Sequence, residues 1–223
     1  MSAINIQLAD ESHLHFVKQI CDEMESSAKI RGTGIAKRST EYLEQKIKER
    51  KAVIAFDTNN QWAGFCYIET WQSGEYVANS GLIISPVFRK QGVAKLIKEK
   101  IFKLSQTKYP NAKIFGLTTG LAVMKINSEL GYEPVTYSEL TNDEQFWNGC
   151  KSCVNYSILT DKEFKNCLCT AMLYKSNEKK AIQIPVTKPR QSLREKPKML
   201  NILGRLTKLK QSVFLKVKTN HND

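Results

Sequence analysis

Three stretches of the chain carry residue types that could do chemistry. The first, Arg89-Lys90-Gln91-Gly92-Val93-Ala94-Lys95, puts three cations and two small residues directly at the start of an apolar helical pattern. The opening amides of a helix have no internal partner and sit at the positive end of its dipole. Gly92 and Ala94 keep that surface low, so a phosphate could reach the backbone N–H groups while Arg89, Lys90 and Lys95 attract it from a distance. A plain strand-to-helix turn with solvated charges would read the same way. The second stretch holds Arg31, Lys37 and Arg38 around two glycines. Its cations could clamp a substrate carboxylate, arginine in a two-pronged grip. A solvated basic loop is the plainer alternative.

The third stretch gathers four of the six cysteines, Cys150-x-x-Cys153 and Cys167-x-Cys169, within twenty residues. Such clustering in a chain without secretory features points to a metal before a disulfide. The spacing leaves room for a hairpin that brings four thiolates to one structural Zn²⁺. The second pair would then share one face of a strand. The alternative is a buried strand from Cys167 to Tyr174 with cysteine as an ordinary core residue. With no histidine between the pairs, a catalytic zinc is not expected.

The elements that must position these residues are marked by periodicity and punctuation. Strands are expected at 5–8, 52–56, 62–70, 76–85, 113–119 and from 132, with Pro86 ending the fourth. A first helix capped by Asp10, Glu11 or Ser12 runs to about residue 27, with Leu14, Val17, Ile20, Cys21 and Met24 on one face. Ser39 or Thr40 caps a second helix to about residue 48. Val93, Leu96, Ile97, Ile101 and Leu104 form the apolar face of a central helix, and a further helix is expected at 121–130.

Arg89-x-x-Gly92-x-Ala94, behind Leu82, Ile83, Ile84, Ser85 and Pro86, resembles the acyl-CoA pyrophosphate loop of the GNAT acetyltransferases. Asn127-Ser128-Glu129-Leu130-Gly131-Tyr132 is similar to the helix end and leucine–glycine–aromatic turn of that family, and the resemblance covers about residues 6–174. It implies an α/β (α+β) fold, a mixed central sheet with flanking helices. It also implies acetyl-CoA as cosubstrate, bound along Leu82, Ile83, Ile84, the loop Arg89, Lys90, Gln91, Gly92, Val93, Ala94 and Lys95, and Asn127. An amine would attack the thioester directly, with the oxyanion held by a backbone N–H near Ile83 and Ile84. The loop carrying Arg31, Lys37 and Arg38 would overhang the acceptor side. The segments 31–38 and 146–174 further resemble bacterial stand-alone members associated with arginine biosynthesis and regarded as amino-acid, possibly glutamate, N-acetyltransferases. A dicarboxylate acceptor agrees with the three cations. A protein or peptide amine as acceptor, and a CoA-binding sensor without turnover, are the alternatives.

The chain departs from the family at two points. Many members carry a tyrosine four residues before the glycine, where it can protonate the leaving thiolate; Asn127 stands there, and an amide can only hydrogen-bond to the sulfur. Tyr132 is poorly placed to substitute. A glutamate that serves some members as base on the fourth strand is matched by Ala78, leaving Glu69 and Glu75 as the nearest carboxylates and Asn79 and Ser80 as holders of a proton-carrying water.

The 223 residues suffice for one domain (1–175, its part 145–175 cysteine-rich) and an appendage. A hydrophobic share of 41% is globular, and no apolar run is long enough to span a membrane. The start MSAINIQLADES lacks the features of a signal peptide, so a cytoplasmic protein is expected. Of the net charge of +12, +9 belongs to residues 176–223, which argues against nucleic-acid binding by the domain itself. Residues 176–198 read as a basic linker and 199–218 as a basic amphipathic helix. That helix could dock on the domain, pair in a homodimer, or lie on an anionic surface, docking being the plainest use.

Overall fold

The structure, a computed structural model, describes residues 3–32 and 37–175. The chain divides into two units, Met1–Glu178 and Lys179–Asp223. The linker expected at 176–198 and the helix expected at 199–218 lie outside the described residues.

β1 (Asn5–Leu8) leads to Asp10, whose carboxylate accepts the Ser12 N–H at 3.1 Å. A 3₁₀ segment (Glu11–Phe16) follows, and only then α1 (Val17–Arg31), which runs past the expected end to a left-handed Gly32 at φ +60°. Ser39 caps α2 (Thr40–Lys48) by accepting the Tyr42 N–H at 3.2 Å. β2 (Ala52–Phe56), β3 (Trp62–Trp71) and β4 (Tyr76–Ile84) form an antiparallel meander. α3 (Val93–Lys108) crosses to β5 (Lys113–Thr118), which pairs parallel with β4. α4 (Leu121–Glu129), β6 (Glu133–Val135), the short helices α5 (Glu144–Asn148) and α6 (Tyr156–Asp161), and β7 (Thr170–Lys175) complete the unit. The sheet order is β1-β2-β3-β4-β5-β7-β6, so the last strand inserts between β5 and β6. This mixed sheet with flanking helices is the expected fold class. No helix among the described residues is long and apolar enough to cross a membrane.

Alternation along β2 sends Val53 and Ala55 to one face of the sheet and Ala52, Ile54 and Phe56 to the other. α3 covers the first face with Val93, Ile97, Ile101 and Phe102. α1 and α2 cover the second with Ile20, Met24, Leu43 and Ile47. Farther along that second face, Tyr137, Leu140 and Leu159 pack on Tyr76, Phe115 and Leu173. Leu96, expected in the core, is 42% exposed, whereas Lys98 is buried. At about 100° per residue, Lys98 falls within the buried arc that runs from Val93 through Ile97, Ile101 and Ser105 to Phe102, and Leu96 falls outside it.

Two irregularities open this sheet. β4 pairs with β5 only over Tyr76–Ala78 against Lys113–Phe115, after which the strands part. Against β3, Phe65 faces Ile83 but Tyr67 faces Ser80, so Cys66 alone opposes Gly81 and Leu82. That bulge bends β4. Only glycine suits its first position: φ is +63°, and a Cβ there would lie 2.1 Å from the Tyr67 ring.

Candidate active site

The parting of β4 and β5 opens into a cavity of about 670 Å³. Its rims are Ala78 to Leu82 on β4 and Gly116 to Thr119 on and after β5. Lys98 and Asn127 reach it from the α3/α4 face, while Arg38, Tyr42, Lys46 and Glu69 reach it from the other. The cavity therefore passes through the sheet, and molecules bound on opposite faces can meet in it.

On the α1/α2 side, Arg38 Nε donates to Tyr67 Oη at 2.9 Å, and Arg38 Nη2 lies 3.7 Å from Glu69. The guanidinium sits 5.5 Å from the Tyr42 ring centroid, and Lys46 Nζ lies 4.8 Å from the same ring. Tyr42 Oη donates a short hydrogen bond to Glu69. Burial first, and the Glu69 charge second, push the Tyr42 and Tyr67 hydroxyls well above the usual phenol range, so both remain neutral donors. Among the described residues four cations line the cavity (Arg31, Arg38, Lys46 and Lys98) against one carboxylate, Glu69. Of the three expected clamp residues, Arg31 and Arg38 reach it. Lys37 does not: it is exposed and lies 3.4 Å from Glu25. Glu75 is likewise outside, 3.5 Å from Lys113.

On the α3/α4 side, Asn127 is 1% exposed. Its Nδ2 lies 3.7 Å from Met172 Sδ, and its Oδ1 has no hydrogen-bond partner. Asn79 borders the cavity, but its side chain is partly committed: Nδ2 donates to Ser105 Oγ at 2.7 Å, and Oδ1 accepts from Tyr132 Oη at 3.1 Å. One N–H and one lone pair of the amide are left for the proton-carrying water that the sequence suggested. Ser80 lines the cavity and its carbonyl accepts the Cys66 thiol at 3.2 Å. Tyr132 is outside the lining, its hydroxyl donates to Asn79, and burial raises its pKa far above the usual range, all of which weigh against it as a proton donor.

The loop before α3 is arranged differently from expectation. Leu82 reaches the cavity, but Ile83 packs into the α1/α2 core and the Ile84 carbonyl accepts from Arg89 Nε at 3.2 Å. Gly81 and Leu82 of the bulge line the cavity, whereas Ile83 and Ile84 do not. Arg89 Nη2 is also bound to Glu23 at 2.6 Å and Ser27 at 2.8 Å. Lys95 pairs with Glu129 at 2.7 Å, and Gln91 Nε2 donates to the Val87 carbonyl at 2.8 Å. What the loop presents openly is backbone: Gly92 caps α3 at φ +82° with no side-chain hydrogen bond and open space where a Cβ would be. The amides of Val93 and Ala94 follow it, with Lys90 beside them in a left-handed conformation, φ +61°.

All four clustered cysteines border the cavity, yet among the described residues no group of three or more His, Cys, Asp or Glu side chains is arranged to hold a metal ion. The expected Zn²⁺ ligand set of Cys150, Cys153, Cys167 and Cys169 does not fit. Cys167 and Cys169 precede β7 instead of sharing one of its faces. Cys153 Sγ accepts the Asn155 N–H at 3.4 Å, and Cys167 Sγ donates to the Asn155 carbonyl at 3.8 Å. Burial, reinforced by the neighbouring thiols, pushes Cys150 up to about 11 and Cys169 up to about 12, so both are neutral at neutral pH. With Phe146 and Trp147 they form an apolar wall.

Sequence reasoning missed Lys98, Lys46 and Tyr42 as cavity residues. Helical spacing was available as a signal: Lys98 follows Ala94 by four, and Lys46 follows Tyr42 by four.

No family model and no curated protein matches the sequence. The structure is similar to N-acetylglutamate synthase from Neisseria gonorrhoeae, solved with coenzyme A and N-acetyl-glutamate, at TM-score 0.56 and 16% identity over 78% of this chain and 35% of that one. The present chain thus spans about a third of the synthase's length. It is similar to Rv2747 from Mycobacterium tuberculosis, solved with CoA, at TM-score 0.54 and 14% identity over 77% of this chain and 98% of the other. A GNAT-family acetyltransferase from Staphylococcus aureus Mu50 matches at TM-score 0.54 and 11% identity over 78% and 99% of the two chains. The chain has the fold of the GNAT acetyltransferases.

Proposed function

We propose that the chain is an acetyl-CoA-dependent N-acetyltransferase whose acceptor is a small amine bearing carboxylates, an acidic amino acid such as glutamate. The observation that carries this reading is the cavity through the sheet, bordered among the described residues by four cations and one carboxylate. An acyl-CoA fits the α3/α4 side. The backbone at Gly92, Val93 and Ala94 suits a pyrophosphate, and the orphaned Asn127 Oδ1 suits an amide N–H of the pantetheine arm. When bound there, acetyl-CoA supplies a thioester to the gap. The likeness to a synthase solved with coenzyme A and N-acetyl-glutamate supports the same assignment.

Arg38, with Arg31 and Lys46, holds the acceptor carboxylates on the opposite side. Glu69, the carboxylate in the lining, takes the proton that the incoming ammonium must lose before attack. A backbone N–H of the bulge at Gly81 or Leu82, which line the cavity, would hold the negative charge that develops on the carbonyl oxygen. With glutamate as acceptor, the chain would serve arginine biosynthesis in the cytoplasm.

Thiol release from acetyl-CoA, measured across amino acids, their side-chain amides and peptides, tests the reading. Release with acidic amino acids alone supports it. Release with peptides only would replace the acceptor, and CoA binding without release on any amine would make the chain a CoA-binding module.

A further inference from the structure

Lys98 is 2% exposed on α3, yet it borders the cavity. Its Nζ lies 5.3 Å from the Tyr132 ring centroid, and the Cys66 thiol is the one titratable group that acts on it through charge. Among the described residues no carboxylate neutralises it. Burying an ammonium without a counter-ion is costly, and the cost falls when an anion arrives or when the proton leaves. Tyr132 N–H donates to the Asn127 carbonyl at 3.0 Å, so Lys98 and Asn127 both adjoin Tyr132, and both line the cavity. Asn127 occupies the position from which the resembled family's tyrosine protonates sulfur, and an amide cannot do so.

We propose that Lys98 is the proton donor to the departing CoA thiolate. The inference rests on the acetyltransferase reading. As the acceptor nitrogen bonds to the acetyl carbon, the carbon–sulfur bond breaks and sulfur keeps the electron pair. The Lys98 ammonium then passes one proton to sulfur, giving free CoA and a neutral amine that water reprotonates. The acceptor nitrogen loses two protons, one before attack and one as the amide forms; both pass through Glu69 to water, which returns one equivalent to Lys98. Burial lowers the Lys98 pKa from its ordinary value and so brings it towards that of a thiol, where proton transfer is most effective.

The test uses the intact chain with CoA and with desulfo-CoA, in wild type, Lys98→Met and Lys98→Arg. Ultraviolet absorbance follows ionisation of the bound thiol, and single-turnover thiol release follows transfer. In wild type the bound thiol should ionise at lower pH than free CoA. Lys98→Met should abolish that shift and slow transfer about a hundredfold while binding desulfo-CoA normally. Lys98→Arg, which keeps the charge but cannot give up a proton, should retain the shift and still transfer slowly; it also serves if the methionine variant does not fold. An unchanged thiol titration and an unchanged rate in the variants would overturn the proposal while leaving the acetyltransferase reading standing. Failure of wild type to bind CoA would overturn both.

Discussion

Arg38 touches Tyr67, Glu69 and the Tyr42 ring at once, so its guanidinium is held in place before any acceptor arrives. Arg38→Ala is expected to raise KM for an acidic amino acid about tenfold or more, the worth of a charged hydrogen bond, with CoA affinity unchanged. Lys37→Ala, at an exposed pair with Glu25, should leave KM within about twofold. Steady-state kinetics on both variants checks the pair. Lys98 gives a prediction of opposite sign, on stability. Its folded pKa is lowered by burial, while the unfolded value is about 10.4. The groups facing it, Cys66 and Tyr132, are pushed up by burial and stay neutral through most of that window. The folded state therefore holds fewer protons than the unfolded state between the two pKa values, and wild-type stability is regained as pH rises through that window. Lys98→Met should thus stabilise the fold by about 1–2 kcal/mol near neutral pH, and urea titrations should show the gain shrinking towards pH ~10. A stability loss at neutral pH would make Lys98 a structural residue. The sequence could not single out this lysine, because helical spacing fixes its direction but not the strand gap it meets.

The bulge on β4 is the element that makes the site. Gly81→Ala would need a left-handed backbone and would drive a Cβ into the Tyr67 ring. A loss of about 2–4 kcal/mol is expected in chemical denaturation. Transfer activity should fall along with it, since the gap depends on this bend. Much at this scale was legible beforehand. Prolines and glycines marked the strand ends, Ser39 is one of the two caps expected for α2, and apolar periodicity located α1 and α3. What escaped was non-local. The insertion of β7 between β5 and β6, and the irregular path of Cys167 and Cys169 before it, are set by pairing partners far away in sequence. The thiols consequently form a wall of the cavity instead of the expected zinc ligand set. Arg89 and Lys95 were legible as cations, but not their pairing with Glu23 and Glu129.

The described residues bordering the cavity lie within the unit Met1–Glu178, although most of the net charge of +12 belongs to the sequence after it. A chain ending at Glu178 is expected to keep CoA affinity and acceptor KM within about twofold, as befits a compact unit with its own core. Calorimetry and steady-state kinetics check this. Passage of an acetyl group through the sheet is tested most directly by mass spectrometry of the products formed by the intact chain from acetyl-CoA and a mixture of amino acids and peptides. An N-acetylated acidic amino acid, appearing in step with free CoA, is the predicted result. Acetylated peptides alone, or no acetylated product while CoA binds, would contradict it.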